Sequence, residues 1–218
     1  MADPGEEAQL PPPPAFFLSY AHPLIGRQVG VPKQATRWLD DFFDDLSETV
    51  AELVGLETGT DAGFMDRSME FGEVWSDELL EAVGTCQVCV ALLSPRYVGR
   101  KWCAMEWSAF TQRRVIRRSD HKVVSRRPII PVKWTPPPDS YRFPAEVMKV
   151  QHFGLTGMPD SSFGALYESE GIEGLMHMGP PAEAIVWKLA RAVSTFCETY
   201  WVEPRTFRLD ELRDAFLW

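Results

Sequence analysis

The sequence has no excess of positive charge and no long apolar run. Its 218 residues carry 31 acidic side chains against 22 Lys and Arg, a formal net charge of −9. General nucleic-acid binders depend on Lys and Arg to neutralise phosphates, so this charge argues against such a partner. The longest apolar run is well short of the roughly 20 residues that a membrane-spanning helix needs. We therefore expect no nucleic-acid partner and no membrane partner.

Cysteine and histidine are also scarce, with four of each. Cys86 and Cys89 form a C-x-x-C pair, but neither a second pair nor a His pair with zinc-site spacing completes it. Redox C-x-x-C motifs begin helices, whereas this pair lies in CQVCVALL, which is typical of a buried strand. We interpret both cysteines as small buried apolar residues and predict no metal site. No Gly-rich phosphate loop of the Walker type is present either.

The first residues, MADPGEEAQLPPPP, are acidic and then proline-rich. They lack the basic start and apolar core of a secretory signal, and four consecutive prolines suit neither a helix nor a sheet interior. The sequence therefore predicts a disordered lead at 1–14, a domain at 15–202, a C-terminal extension at 203–218 and a cytoplasmic location.

Apolar runs and amphipathic segments alternate along the domain. The short apolar runs predict strands at 15–20, 62–66, 87–94, 128–134 and, more weakly, 150–155. The three- and four-residue apolar spacing predicts helices at 34–54, 76–83, 101–118 and 182–201. We interpret the basic segment 113–127 as the solvated end of the helix predicted at 101–118. Such alternation favours an α/β fold, a flavodoxin-like three-layer sandwich with a five-stranded, mainly parallel sheet and helices on both faces.

Polar residues lie at the carboxyl ends of the first two predicted strands. In sheets of this kind, ligands bind outside those ends. Ser19 and Tyr20 end the first strand, and Asp66 and Arg67 follow the second. These residues are candidates for a binding site. The alternative is that they only cap a strand end or are solvated charges of a loop.

Glu106 is an isolated acid on the helix after the third strand. Trp102 and Phe110 lie four residues before and after it, so all three share one face of the helix. This pattern leaves two interpretations. The aliphatic part of Glu106 could pack on the core while its carboxylate is in water, or the whole side chain could lie in a cleft. Trp102 could in turn belong to the core or to a pocket.

Three motifs in order resemble those of Toll/interleukin-1 receptor (TIR) domains. FFLSYAHP is similar to their first strand, and FMDRSMEFGEVWSDELLEAV to their second strand, the following loop and a helix. VCVALLSPRYVGRKWCAMEW is similar to S-x-x-Y followed by W-C-x-x-E, and PIIPVKW to the fourth strand. The resemblance covers about residues 15–155 and is greatest to bacterial, particularly actinobacterial, members.

The resemblance implies an enzyme that cleaves NAD+ between nicotinamide and ribose, with cyclisation and base exchange as related activities, in bacterial signalling or defence. Glu106 occupies the position of the essential acid, and Ser19, Tyr20, Asp66, Arg67 and Trp102 would bind substrate. One carboxylate can stabilise the oxocarbenium-like ribose. Nicotinamide leaves as a neutral molecule, so no second acid is required, unlike in most glycosidases. NAD+ is then the substrate, and no cofactor is needed.

The resemblance also implies self-association, a homo-oligomer formed through the loop after the second strand. Members of the family act as adaptors too, so a non-enzymatic scaffold that recruits a protein partner is the alternative. A third hypothesis is a glycosidase or transferase acting on another nucleoside. Residues 141–179 depart from the general pattern of the family and flank the expected cleft.

Overall fold

The computed structural model describes residues 14–21, 34–57, 60–67, 75–155 and 162–217. The predicted lead, apart from Pro14, and the segments 22–33 and 68–74 lie outside them. The strands are β1 (Phe16–Ser19), β2 (Gly63–Phe64), β3 (Val88–Leu93), β4 (Val115–Arg117), β5 (Val123–Val124), β6 (Ile129–Lys133) and β7 (Tyr200–Val202). The helices are α1 (Gln34–Val54), α2 (Asp77–Thr85), α3 (Lys101–Thr111), α4 (Ala145–Met148), α5 (Ser162–Met176) and α6 (Pro180–Thr199).

The centre of the fold is a parallel sheet with strand order β2-β1-β3-β6. Successive side chains of a strand point to opposite faces. Phe16, Leu18 and Val90 therefore pack with α1 and α6, and Phe17 and Cys89 pack with α2 and α3 on the other face. The predicted α/β fold, with a parallel sheet between two layers of helices, is confirmed.

The predicted fifth strand at 150–155 is wrong. This segment forms no strand, and one backbone hydrogen bond, from Phe153 N–H to the carbonyl of Pro131 at 2.8 Å, joins it to β6. Pro131 has no N–H to donate in return, so the outer edge of β6 cannot form a full ladder there. Within the described residues, the parallel sheet has four strands.

The helix predicted at 101–118 ends at Thr111, and the basic segment that follows is not a helix end. β4 forms a small antiparallel sheet with β5 and β7, in which Val115 pairs with Val202. Because β7 begins at Tyr200, the helix predicted at 182–201 also ends early, at Thr199. The pairing joins residues far apart in the chain, so local periodicity did not indicate it.

The last residues pack against the α3 side of the sheet. Phe207, Leu212 and Phe216 are buried there with the side chains of α2 and α3. The Phe216 ring lies 5.6 Å from the Trp107 ring and 5.8 Å from the Tyr97 ring. The segment predicted as an extension from residue 203 thus contributes apolar side chains to the core, and the boundary at 202 stays a prediction.

Replacing Phe216 by alanine should lower the free energy of unfolding by about 3 kcal/mol, the usual cost of removing a buried ring. Phe216 is 3% exposed, whereas its neighbour Leu217 is 79% exposed. Leu217→Ala is the matched control and should change stability by less than about 0.5 kcal/mol. Urea unfolding followed by tryptophan fluorescence measures both. Equal effects of the two substitutions would contradict the packing.

Candidate functional site

Glu106 lies beneath the carboxyl end of β1. Ser19 is the last residue of β1 and faces α3, as Phe17 does two residues earlier. Its hydroxyl donates a hydrogen bond to Glu106 Oε2. Ser19 Oγ is also 2.7 Å from Tyr97 Oη. Since a serine hydroxyl has one proton, Tyr97 donates this second bond whenever Ser19 donates to Glu106.

Burial decides the protonation state of Glu106. The residue is 6% exposed. Its removal from water raises the pKa of the carboxyl from 4.5 to about 8; the Ser19 hydrogen bond acts in the opposite direction, and the negative charge of Asp66 adds to the increase. A buried carboxyl is more stable neutral than charged, so Glu106 is mostly protonated at neutral pH in this conformation.

Two cysteines and a tyrosine complete the surroundings of Glu106. Burial, with a contribution from Glu106, raises the thiol pKa values of Cys89 and Cys103 and the phenol pKa of Tyr97. Cys103 Sγ also lies 3.3 Å from the backbone carbonyl of Tyr20, as donor. These thiols stay neutral, so neither is an activated nucleophile. Cys86 is buried as well, so the interpretation of the C-x-x-C pair as apolar packing is confirmed.

Tyr20 connects the ends of β1 and β2. Its hydroxyl donates to the backbone carbonyl of Asp66 at 2.8 Å. Burial, followed by the charges of Asp66 and Asp40, raises the pKa of the Tyr20 phenol, so it remains a donor. Four of the predicted site residues are therefore brought together at this edge of the sheet: Ser19, Tyr20, Asp66 and Glu106.

Arg67 is directed toward α1. Its guanidinium lies 2.9 Å from an oxygen of Asp44 and 3.4 Å from one of Asp40, and it sits over the Phe43 ring at 5.3 Å. Ion pairs this exposed contribute little to stability. Replacing an aspartate partner of Arg67 by a phosphate of a ligand would therefore cost little free energy. Substrate binding by Arg67, through a phosphate of NAD+, stays a prediction.

Trp102 lies one turn before Glu106 on α3. It is partly buried against the core of the α3 side, and its ring is 6.1 Å from that of Trp75. Trp75 is buried, and its indole N–H makes no hydrogen bond in the described part of the chain. The packing favours a core contact for Trp102, and its role in substrate binding stays a prediction.

A cleft of about 310 Å³ opens at the carboxyl ends of β1, β3 and β6. Its walls come from five segments and include Tyr20, Ala21, Leu39, Leu92, Ser94, Pro95, Arg96, Trp134, Thr135 and Glu173. Leu39 and Leu92 belong to the core on the α1 side. Glu106 is not among the lining residues, because it lies across the sheet on the α3 side.

The sequence did not predict several cleft residues. Trp134 and Thr135 follow the carboxyl end of β6, so the rule that selected Ser19 and Asp66 would also have selected them. Glu173 has no such signal, since α5 comes to β6 only through tertiary packing. The described residues contain no group of His, Cys, Asp and Glu side chains suited to a metal ion.

Comparison with known proteins identifies the family. A family model described as "TIR domain" matches residues 16–166, which include β1, α3 and Glu106. This chain belongs to the TIR domain family. The family includes enzymes that hydrolyse NAD+ and adaptors, and TIR domains self-associate. No curated protein matches the chain.

Among solved structures, this TIR protein is similar to the TIR domains of the activated Roq1 resistosome, which directly recognises the pathogen effector XopQ. The two are 16% identical over 84% of this chain and 82% of that one, with a TM-score of 0.31. A likeness of this level carries no argument about function. In the described residues of this TIR protein, no helix has the length and apolar character to span a membrane.

Proposed function

We propose that this TIR protein is an NAD+ glycohydrolase that cleaves the bond between nicotinamide and ribose, with Glu106 as its catalytic carboxylate. The observation that carries the proposal is a buried carboxyl, bonded to Ser19 at the carboxyl end of β1. In parallel sheets of this kind, ligands bind at that edge. Buried acids with strongly raised pKa values concentrate at active sites. Bacterial signalling or defence, a cytoplasmic location and closeness to actinobacterial members belong to the same proposal.

The chemistry requires the charged form of Glu106. As the C–N bond breaks, positive charge grows on the ribose and the nicotinamide ring becomes neutral. A carboxylate beside the ribose stabilises that charge, and Ser19 holds one of its oxygens in place. Water then adds to the ribose and releases a proton. Contact with a cationic substrate favours ionisation of Glu106, because a nearby positive charge lowers a carboxyl pKa.

Substrate must reach Glu106, whose side chain is buried in this conformation. Glu106 is 6% exposed, and the cleft opens on the other side of the sheet. We propose that self-association rearranges the end of β1 and exposes Glu106. Activity should then increase more steeply than in proportion to protein concentration.

The test measures nicotinamide release from NAD+ over a range of protein concentrations. Wild type should release nicotinamide at high concentration, and Glu106→Ala should reduce the rate by at least about a hundredfold, as loss of one electrostatic group typically does. Glu48→Ala is the matched control, because Glu48 is also mid-helix but exposed. No release at any concentration, or equal rates for Glu106→Ala and Glu48→Ala, would overturn the proposal.

One observation favours a second function, that of a self-associating adaptor with a protein partner. Glu106 is buried, mostly neutral and absent from the cleft lining, as suits a structural residue. An adaptor would assemble at the same concentrations without releasing nicotinamide, and sedimentation measures that assembly. A panel of nucleosides in the release assay separates both functions from a glycosidase or transferase with another substrate.

A further inference from the structure

The segment that completes the cleft lies beyond the family match. That match ends at residue 166, whereas α5 continues to Met176. Its helical geometry is interrupted at Gly171, where φ is +66° and ψ is −178°, a conformation that only glycine adopts readily. A Cβ atom there would come within 2.3 Å of the Trp134 carbonyl oxygen. The chain thus brings the second half of α5 into close contact with the end of β6.

Hydrogen bonds on both sides of this interruption hold α5 to β6. Before it, the Tyr167 hydroxyl accepts from Lys133 N–H at 2.8 Å. After it, Glu173 N–H donates to the Trp134 carbonyl at 3.1 Å. The Thr135 hydroxyl donates to Glu173 Oε2 at 2.6 Å. Main chain and side chain together orient the Glu173 carboxylate in the cleft wall.

The cleft combines this carboxylate with aromatic rings and a cation. Tyr20 and Trp134 supply the rings, and Arg96 is the cation among its described lining residues. A carboxylate has about four acceptor sites, so the bond from Thr135 leaves capacity for a ligand. A carboxylate held in place beside aromatic rings can accept hydrogen bonds from the two neighbouring hydroxyls of a ribose. In dinucleotide-binding folds, an Asp or Glu carboxylate binds the ribose in this way.

We propose that Glu173 binds the hydroxyls of a ribose in this cleft and excludes ribose that carries a 2′-phosphate. The inference rests on the proposed function, since a dinucleotide is the ligand. A 2′-phosphate would place its negative charge against Glu173, and repulsion of this kind is how a site rejects a near-isostere. Without the Glu173 charge this repulsion is absent, so the preference should decrease.

Calorimetric titration with ADP-ribose and with 2′-phospho-ADP-ribose tests the proposal on the full chain. Wild type should bind ADP-ribose at least roughly tenfold more tightly, the value of one hydrogen bond to a charged group. Glu173→Gln keeps an acceptor for Thr135 and removes the charge, so the two affinities should come within about threefold of each other. Glu168→Gln, on the exposed part of α5, is the control and should keep the wild-type ratio.

The same ratio in Glu173→Gln as in wild type, or no binding of either compound by wild type, would overturn the inference. Urea unfolding of each variant shows whether α5 is still folded. Glu173→Asp keeps the negative charge and should therefore keep the preference for ADP-ribose. The release assay keeps the two proposals apart. A binding preference without nicotinamide release supports the ribose site and overturns the NAD+ glycohydrolase. Nicotinamide release together with the same affinity ratio in Glu173→Gln as in wild type supports the glycohydrolase and overturns the ribose site.

Discussion

Raising the pH from about 5 to about 9 is expected to destabilise wild type relative to Glu106→Gln by about 4 kcal/mol. Glu106 titrates near 4.5 when unfolded and near 8 in the folded protein. Between these values the folded state binds more protons, so its stability decreases as pH rises. The contribution of protonated Glu106 is fully present below about pH 4.5 and is lost by about pH 8. Glutamine does not titrate and serves as the reference.

Urea unfolding of both proteins across this pH range gives the difference directly. Glu48→Gln is the control, because it removes a carboxyl that is exposed on a helix, and its stability difference from wild type should vary with pH far less than that of Glu106→Gln. A constant difference between wild type and Glu106→Gln would mean that Glu106 is not held neutral. If the proposed chemistry is right, nicotinamide release should increase over the same pH range, since the carboxylate is the reactive form.

Replacing Arg113 by methionine is expected to destabilise the protein by about 3 kcal/mol or more, because several backbone carbonyls lose their donor at roughly 1 to 3 kcal/mol each. Arg113 is 4% exposed, and burial lowers the pKa of its guanidinium to about 10. The guanidinium donates to the carbonyls of Val83, at 3.1 Å, Cys86, at 2.5 Å, and Glu203, at 3.3 Å. Methionine fills similar volume but leaves these buried acceptors without their donor.

The next residue offers a matched control. The Arg114 side chain is 60% exposed, and its guanidinium forms an ion pair with Glu203 at 3.2 Å. Arg114→Met should therefore cost less than about 1 kcal/mol. The two variants have identical composition, so a difference in their urea midpoints reports the burial and the backbone hydrogen bonds of Arg113. Equal losses would contradict the buried position of Arg113.

The helices were predicted best where the signal is local. α1 begins and ends where its apolar spacing indicated, because one stripe of side chains meets the sheet. α2 begins after Ser76, whose hydroxyl accepts from Leu79 N–H at 3.1 Å, as its position before an acidic turn suggested. β4 and β7 were missed because the pairing of Val115 with Val202 depends on residues 87 positions apart.

The candidate site divides in the same way. The W-C-x-x-E pattern located Glu106, and the strand-end rule located Ser19, Tyr20 and Asp66, because each is a property of neighbouring residues. The hydroxyl that bonds Glu106 and the burial that keeps it neutral depend on β1, β3 and α3 coming together. Arg67 lies on the same loop as Asp66, yet its orientation toward α1 was not evident from the sequence.

By itself, the sequence determined the order of most elements, the family and the position of the acid, since periodicity, caps and motifs act over a few residues. Only the tertiary structure decided that Arg113 is buried, that Glu106 faces away from the cleft and that Glu173 lies in the cleft wall. Each of these depends on which side chains distant segments bring together. Burial raises the pKa of Glu106, and hydrogen bonds of the packed chain hold Arg113 and Glu173 in place. No local pattern records these environments.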